Sequence, residues 1–276
     1  TGAMGALQDW SALWRFAYAH RLENMFDGEG AAGYFDVATD PLSQASERAS
    51  LCLFLRRDLE AAQQKVAIAL PARDAGALKE SAARVSPAWS GAAWHARVGT
   101  YAAEAALSGW RLVAGGEAYA TNAAAAFAPL TNAAGALAID PARGAFTVAT
   151  ARTVGGFAEE GRVAAGPLAV EISGAAATVW VSALDGAPVA SSRRLLLTHL
   201  TDVQNTGESY AEKDRKTLLT LGKLPYLVRV GRAEVSLALE EPGAYAVHAL
   251  ATSGRRLEKV ASKVADGPLV FTASVA

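Results

Sequence analysis

The chain has a single cysteine among its 276 residues, so no intrachain disulfide framework can hold it together. Cys52 sits in the apolar run Leu51-Cys52-Leu53-Phe54, the setting of a buried, inert thiol rather than of a nucleophile. Charge of one sign is lacking too. Against 26 basic residues stand 27 acidic ones, a formal net charge of -1, which leaves no whole-chain footprint for nucleic acid or anionic lipid. No uninterrupted apolar stretch reaches the roughly 18 to 20 residues that a membrane-spanning helix needs, so a membrane partner is not expected either. The opening Thr1-Gly2-Ala3-Met4-Gly5 lacks the basic and apolar segments of a signal peptide and reads as a leader foreign to the fold. One cysteine suits the cytosol and the periplasm equally, which leaves the compartment open.

Chemical fingerprints are equally sparse. His95, His199 and His248 lie far apart, and none belongs to an HExxH or a paired zinc spacing. Gly28-Glu29-Gly30 and Gly115-Gly116 lack the strand, GxGxxG and helix context of a dinucleotide site and read as turns. Ser191-Ser192-Arg193-Arg194 is not the GxSxG of a nucleophile elbow. The carboxylates Glu23, Asp27, Glu29, Asp36 and Asp40 invite a metal or acid/base reading, but their spacing does not fit an EF-hand loop and a solvated loop explains them better. The mixed-sign run Glu208, Glu212, Lys213, Asp214, Arg215 and Lys216 reads as a solvated helix or loop. No metal and no cofactor is expected.

What the chain does have is apolar material in short, punctuated runs. Asp40-Pro41 is a good helix start, because the carboxylate can cap free amides and proline suits the first turn. The apolar spacing predicts a helix over Pro41 to Arg57, with Gln44, Glu47 and Arg48 toward solvent. Leu7 to His20 fits a helix and a strand equally. Val66 to Leu70 reads as the first strand, and Ala72 to Tyr101 as an irregular and helical connection pinned by Trp89, Trp94 and Tyr101. Beyond Trp110, strand-like runs recur at 110–113, 136–139, 145–149, 168–172, 178–184, 194–200, 226–230, 233–239, 244–250 and 269–274, with Asp185-Gly186 and Ser253-Gly254 as hairpin turns. Such short runs predict a mainly β protein, an antiparallel β-sandwich preceded by a short α/β segment.

Two stretches, Leu7-Gln8-Asp9-Trp10 through Phe16-Ala17-Tyr18-Ala19-His20 with Asp40-Pro41, and the β-rich run from Val179 to Gly207, resemble the C-terminal parts of large bacterial glycoside hydrolases. In that family a (β/α)8 barrel precedes an accessory sandwich. The resemblance implies an α/β segment at 1–60 like the last barrel strand and helix, a connection at 61–109 and a β-sandwich at 110–276. It places Tyr18, His20 and Glu23 toward a sugar cleft, with carbohydrate as partner through a parent enzyme that would be secreted or periplasmic. Glycoside hydrolysis needs two flanking carboxyl groups on a barrel of about 250 residues. No such pair can be identified, so catalytic residues are unassigned and the chain is expected to be inactive alone. The alternative is a free-standing carbohydrate-binding or scaffolding module, with Trp89, Trp94, Trp110 or Trp180 as a flat sugar platform. Surplus aromatics near the N-terminus also predict self-association as a homo-oligomer.

Overall fold

The computed structural model describes residues 1–26, 35–70, 92–102, 108–113, 130–132 and 135–275. It is mainly β, with 43% strand against 15% helix, as the short turn-bounded runs predict. Two compact units divide the chain, one of Thr1–Leu13 with Ser50–Arg143, the other of Trp14–Ala49 with Gly144–Ala276. The acidic loop with Asp27 and Glu29, Gly115-Gly116 and Trp89 lie outside the described residues.

The first unit begins with helix α1, Gly2–Leu7, which buries Gly2, Gly5, Ala6 and Leu7. Small residues are required there, since a Cβ on Gly2 would lie 2.4 Å from Ser50 Cα and one on Gly5 would lie 2.8 Å from Leu13 Cδ2. The opening residues therefore belong to the fold, contrary to expectation. Their close packing depends on having little side chain, which leaves no apolar pattern to read. The helix stops where Asp9 takes a left-handed φ of 56°, a conformation that aspartate tolerates better than most residues. Residues 8–20 then form neither helix nor strand, so Leu7 to His20 satisfies neither of its two periodicities.

Three strands of this unit are parallel: β1 (Gln64–Leu70) lies between β2 (Ala96–Ala102) and β3 (Arg111–Val113). The expected irregular connection thus contains a sheet strand at its end. Strand β2 escapes a pattern search because Gly99 interrupts it, and a Cβ there would press on the Trp110 ring at 3.3 Å. Val66, Ile68, Ala92 and Ala96 form the local core. Gln8 clasps it from the N-terminal side, donating to the carbonyls of Ala93 and Ala96 at 2.7 Å each and accepting from Val98 N at 2.8 Å. Strands β4 (Leu130–Thr131) and β5 (Leu137–Asp140) pair antiparallel, with the buried Asn132 accepting from Leu137 N.

The second unit holds helix α2 (Leu22–Phe26) and all but the last residue of α3 (Pro41–Ser50); Ser50 and the π-helical turn at Leu51–Leu55 that follows it in the chain belong to the first unit. The helical span is the one that Asp40-Pro41 predicts. Asp40 Oδ1 accepts from the amides of Leu42 at 2.9 Å and Ser43 at 3.0 Å, which satisfies donors that the first turn leaves open.

Its strands are β6 (Ala145–Ala149), β7 (Thr153–Ala158), β8 (Gly161–Ala165), β9 (Leu168–Ser173), β10 (Ala177–Ala183) and β11 (Leu195–Leu200). The chain continues through β12 (Val203–Thr206), β13 (Ser209–Tyr210), β14 (Leu218–Thr220), β15 (Lys223–Val228) and β16 (Gly231–Leu237). It ends with β17 (Val247–Leu250), β18 (Arg256–Val260), β19 (Ser262–Val264) and β20 (Leu269–Val275). Within this unit one antiparallel sheet has the order β11-β10-β7-β6 and another β19-β20-β16-β9-β8. Strand alternation sends Leu168, Val170, Ile172, Val163, Val235 and Phe271 of the five-stranded sheet into the same buried cluster as Val154, Val179 and Val181 of the other. Each fully buried Val, Leu or Ile is worth roughly 1.5–3 kcal/mol. This cluster is the core that organises the unit.

Strand β10 is buried on both faces. Ala177, Val179, Val181 and Ala183 enter the core, while Trp180 and Ser182 on the opposite face are also covered. Arg48 of α3 places its guanidinium 5.4 Å from the Trp180 ring centroid and donates to Thr198 Oγ1 at 2.5 Å, Thr198 being the register partner of Trp180 on β11. The sequence points Arg48 toward solvent. An outward-facing tryptophan gives its guanidinium a π-face to stack on and its stem an apolar surface to cover. Strands β12 to β15 form an antiparallel ribbon, with Val203 opposite Val228 and Tyr210 opposite Leu218. Of the expected hairpins, Ser253-Gly254 is a tight turn between β17 and β18. Asp185-Gly186 instead opens a longer connection from β10 to β11.

Candidate functional site

Within the second unit, segments 16–18 and 35–38 lie side by side. Ala17 N donates to Phe35 O, Val37 N to Ala17 O and Ala38 N to Tyr18 O. These bonds bring together two residues that are far apart in sequence. His20 Nδ1 lies 2.5 Å from Asp36 Oδ1, and His20 N donates to Asp36 Oδ2 at 3.3 Å, so both carboxylate oxygens hold one residue. Asp36 is buried at 6% exposure, whereas the His20 side chain is 48% exposed. Phe16 meets the imidazole edge-on at 5.2 Å between centroids, and Phe35 lies 5.8 Å from Phe16 and 6.4 Å from His20.

The pair is anchored to the sheets by a chain of contacts. Gln44 of α3 donates to the carbonyls of Val37 at 3.1 Å and Ala38 at 2.6 Å, and Glu47 pairs with Arg15 at 3.0 Å. Arg48, one residue on, grips Trp180 and Thr198. From the other side the Tyr226 hydroxyl of β15 donates to Thr39 O. Burial, with Asp40 nearby, pushes the Tyr226 hydroxyl pKa upward and keeps it a donor. Sheet, helix and ribbon thus hold a short loop pair on which Trp14 (93% exposed), Phe16, Tyr18 and Phe35 stand out into solvent.

Of the residues singled out in the sequence, His20 and Tyr18 fall in this arrangement, with Tyr18 exposed and its carbonyl holding Ala38. Glu23 is exposed in the first turn of α2, and among the described residues no hydrogen bond or ion pair joins it to His20 or Asp36. Phe35 and Asp36 were not singled out as sugar contacts. A carboxylate set between Phe35 and Val37 hints at burial, but nothing in the spacing names its partner sixteen residues earlier.

No family model, curated protein or solved structure matches the chain. What the arrangement can do therefore rests on its own chemistry. Two flat apolar rings, Phe16 and Phe35, lie beside one imidazole fixed by a carboxylate. Groups of three or more His, Cys, Asp or Glu able to hold a metal do not occur among the described residues.

Other polar groups are structural. Trp180 is 4% exposed and so is not an open sugar platform, while Trp94 and Trp110 are half-buried. Ser192 Oγ donates to Asp185 Oδ1 at 2.8 Å while Asp185 Oδ2 accepts from Arg193 N at 2.7 Å, which makes Ser192 a loop staple. Those bonds, that from Ser192 foremost, hold the Asp185 carboxyl below its ordinary range. At the far end of the ribbon, Arg215 grips Asp202 through two bonds of 2.9 and 2.6 Å and lies over the Tyr210 ring. Its hydrogen bonds depress the Asp202 pKa. The mixed-sign run is thus a braced turn.

Proposed function

We propose that this chain is the C-terminal accessory portion of a glycoside hydrolase, a β-sandwich that presents Trp14, Phe16, Tyr18, His20 and Phe35 to carbohydrate while a barrel elsewhere supplies the catalytic carboxylates. The observation that carries the reading is the exposed aromatic group built around an imidazole held by a buried carboxylate. Aromatic side chains left wet forgo roughly 1.5–3 kcal/mol each of burial, and a contiguous group of them marks a binding face. Pyranose rings offer C–H faces that stack on such side chains, and hydroxyls that need a fixed partner at the rim. The two sheets sharing one core support the sandwich, and the resemblance of Leu7 to His20 and Val179 to Gly207 supports the enzyme class.

The test is affinity electrophoresis of the purified chain through gels containing xylan, mixed-linkage β-glucan, arabinan or soluble starch. Retardation by at least one polysaccharide, abolished by Trp14→Ala with Phe16→Ala, is the expected result. Unretarded migration in all four gels would remove the carbohydrate reading, and turnover of a glycoside by the chain alone would remove the accessory assignment.

A further inference from the structure

We infer that Asp36 locks neutral His20 in the Nδ1–H tautomer, so that in the neutral ring Nε2 is a hydrogen-bond acceptor on the aromatic face and selects ligands that present a hydroxyl donor there. This deepens the carbohydrate reading and rests on it for the ligand class, though not for the tautomer. An ionised carboxylate can only accept, so the 2.5 Å contact between Asp36 Oδ1 and His20 Nδ1 requires the proton to sit on Nδ1. The neutral ring then has its lone pair on Nε2. Because Asp36 is 6% exposed and takes the backbone amide of His20 on its second oxygen, the carboxylate cannot swing away to serve the other nitrogen.

With Nδ1 engaged by the buried Asp36, the His20 side chain is still 48% exposed, and no residue among those described bonds to Nε2. Phe16 and Phe35 flank the imidazole at 5.2 and 6.4 Å, so a ligand reaching Nε2 also meets apolar ring surface. A hydroxyl on a saccharide ring satisfies both demands. A carboxylate or phosphate oxygen is an acceptor, would face the Nε2 lone pair and is disfavoured. Asp36 is thus a positioning residue that sets the polarity of the site without touching the ligand.

The test is long-range 1H–15N NMR of the histidine side chains in the full chain at a pH where His20 is neutral. The expected spectrum shows the His20 Nδ1 protonated and Nε2 bare. In Asp36→Asn, whose amide can donate to Nδ1, the pattern should invert to the Nε2–H tautomer. A wild-type His20 in the Nε2–H form, or in fast exchange between both forms, would overturn the inference without any variant having to fold. Cellohexaose and xylohexaose are then titrated. A shift of the His20 Nε2 resonance with at least one of them, weakened tenfold or more in Asp36→Asn, is expected. If the tautomer is as stated but neither sugar moves Nε2, the ligand assignment falls. If a sugar binds equally well to Asp36→Asn, the carbohydrate reading stands and the role given to Asp36 falls.

Discussion

Two regions of the second unit obey opposite rules. In β8, β9 and β16 the aliphatic residues point inward and Arg162, Glu171, Arg232 and Glu234 point outward. In the loop pair Trp14, Phe16, Tyr18 and Phe35 point outward, and Asp36 and Thr39 are among the buried residues. A core gains from excluding water and needs only apolar bulk of the right shape. A segment that does the reverse gives up that gain, and Gln44, Glu47 and Tyr226 hold it by hydrogen bonds and an ion pair. The difference separates what stabilises this unit from what the unit can offer to a ligand.

Substitutions in the sheets should have the largest effects. Leu168 is 1% exposed within the shared core, so Leu168→Ala should cost about 2–5 kcal/mol in urea unfolding. Gly155 lies opposite Trp180, and a Cβ there would be 2.4 Å from Trp180 Cα and Cβ. Gly155→Ala should therefore cost at least about 1–3 kcal/mol, since backbone and not merely a flexible side chain must move. Near-neutral results at both positions would mean that the sheets do not carry the stability.

Arg48 joins the two regions and should show an intermediate effect. Losing its bond to Thr198 and its stacking on Trp180 should cost about 1–2 kcal/mol in Arg48→Ala. Helix α3 should also loosen, so amides of residues 36–39 should exchange faster with deuterium than in the wild type. Unchanged exchange would show that the loop pair holds itself without the helix.

The sheet region also contains a histidine, which sharpens the contrast with the exposed one. Both ring nitrogens of His199 on β11 are buried, and burial, partly opposed by a backbone hydrogen bond with Ala273, lowers its pKa from the ordinary 6.5. The unfolded chain takes up a proton as pH falls through about 6.5, while the folded chain resists until the pH is lower. Stability should thus decline on acidification below about pH 7 and level off only beneath the lowered value. In His199→Leu the urea midpoint should vary less between pH 7.5 and pH 5; an unchanged slope would place the acid sensitivity elsewhere, Asp202 being a candidate only at still lower pH.

How much of this was legible in the sequence follows from the same contrast. Strands β9, β10, β16 and β20 alternate strongly or run apolar, and the helix start at Asp40-Pro41 carries its own capping chemistry. Strand β7 is hidden by Gly155-Gly156, which look like a turn but are required because a Cβ on Gly156 would fall 2.2 Å from Phe146 O. Parallel strand β2 is hidden in the same way by Gly99. His20 is singled out by the resemblance, which places it just past a barrel strand, but its partnership with Asp36 depends on backbone bonds between residues 17–18 and 35–38 that no local pattern encodes. Periodicity reads what is packed against a face. It does not read which loops meet.

The smallest effect on stability should come from the most conspicuous side chain. Trp14 is 93% exposed, so Trp14→Ala removes almost no buried surface and should change the unfolding free energy by less than about 0.5 kcal/mol. In the same variant, retardation by whichever polysaccharide binds the wild type should fall, because stacking on a wet indole is lost without any loss in the core. Near-equal stability with weaker binding is the pattern of a residue kept for a ligand. A loss of 2 kcal/mol or more, on the scale of a core truncation, would instead mean that the indole is covered in solution. The most economical cover is a second copy of the chain, and sedimentation velocity would then show the wild type associating with rising concentration and Trp14→Ala remaining monomeric. That outcome would turn the aromatic face from a binding surface into an interface, and the comparison between the two regions would reduce to one of inner and outer cores.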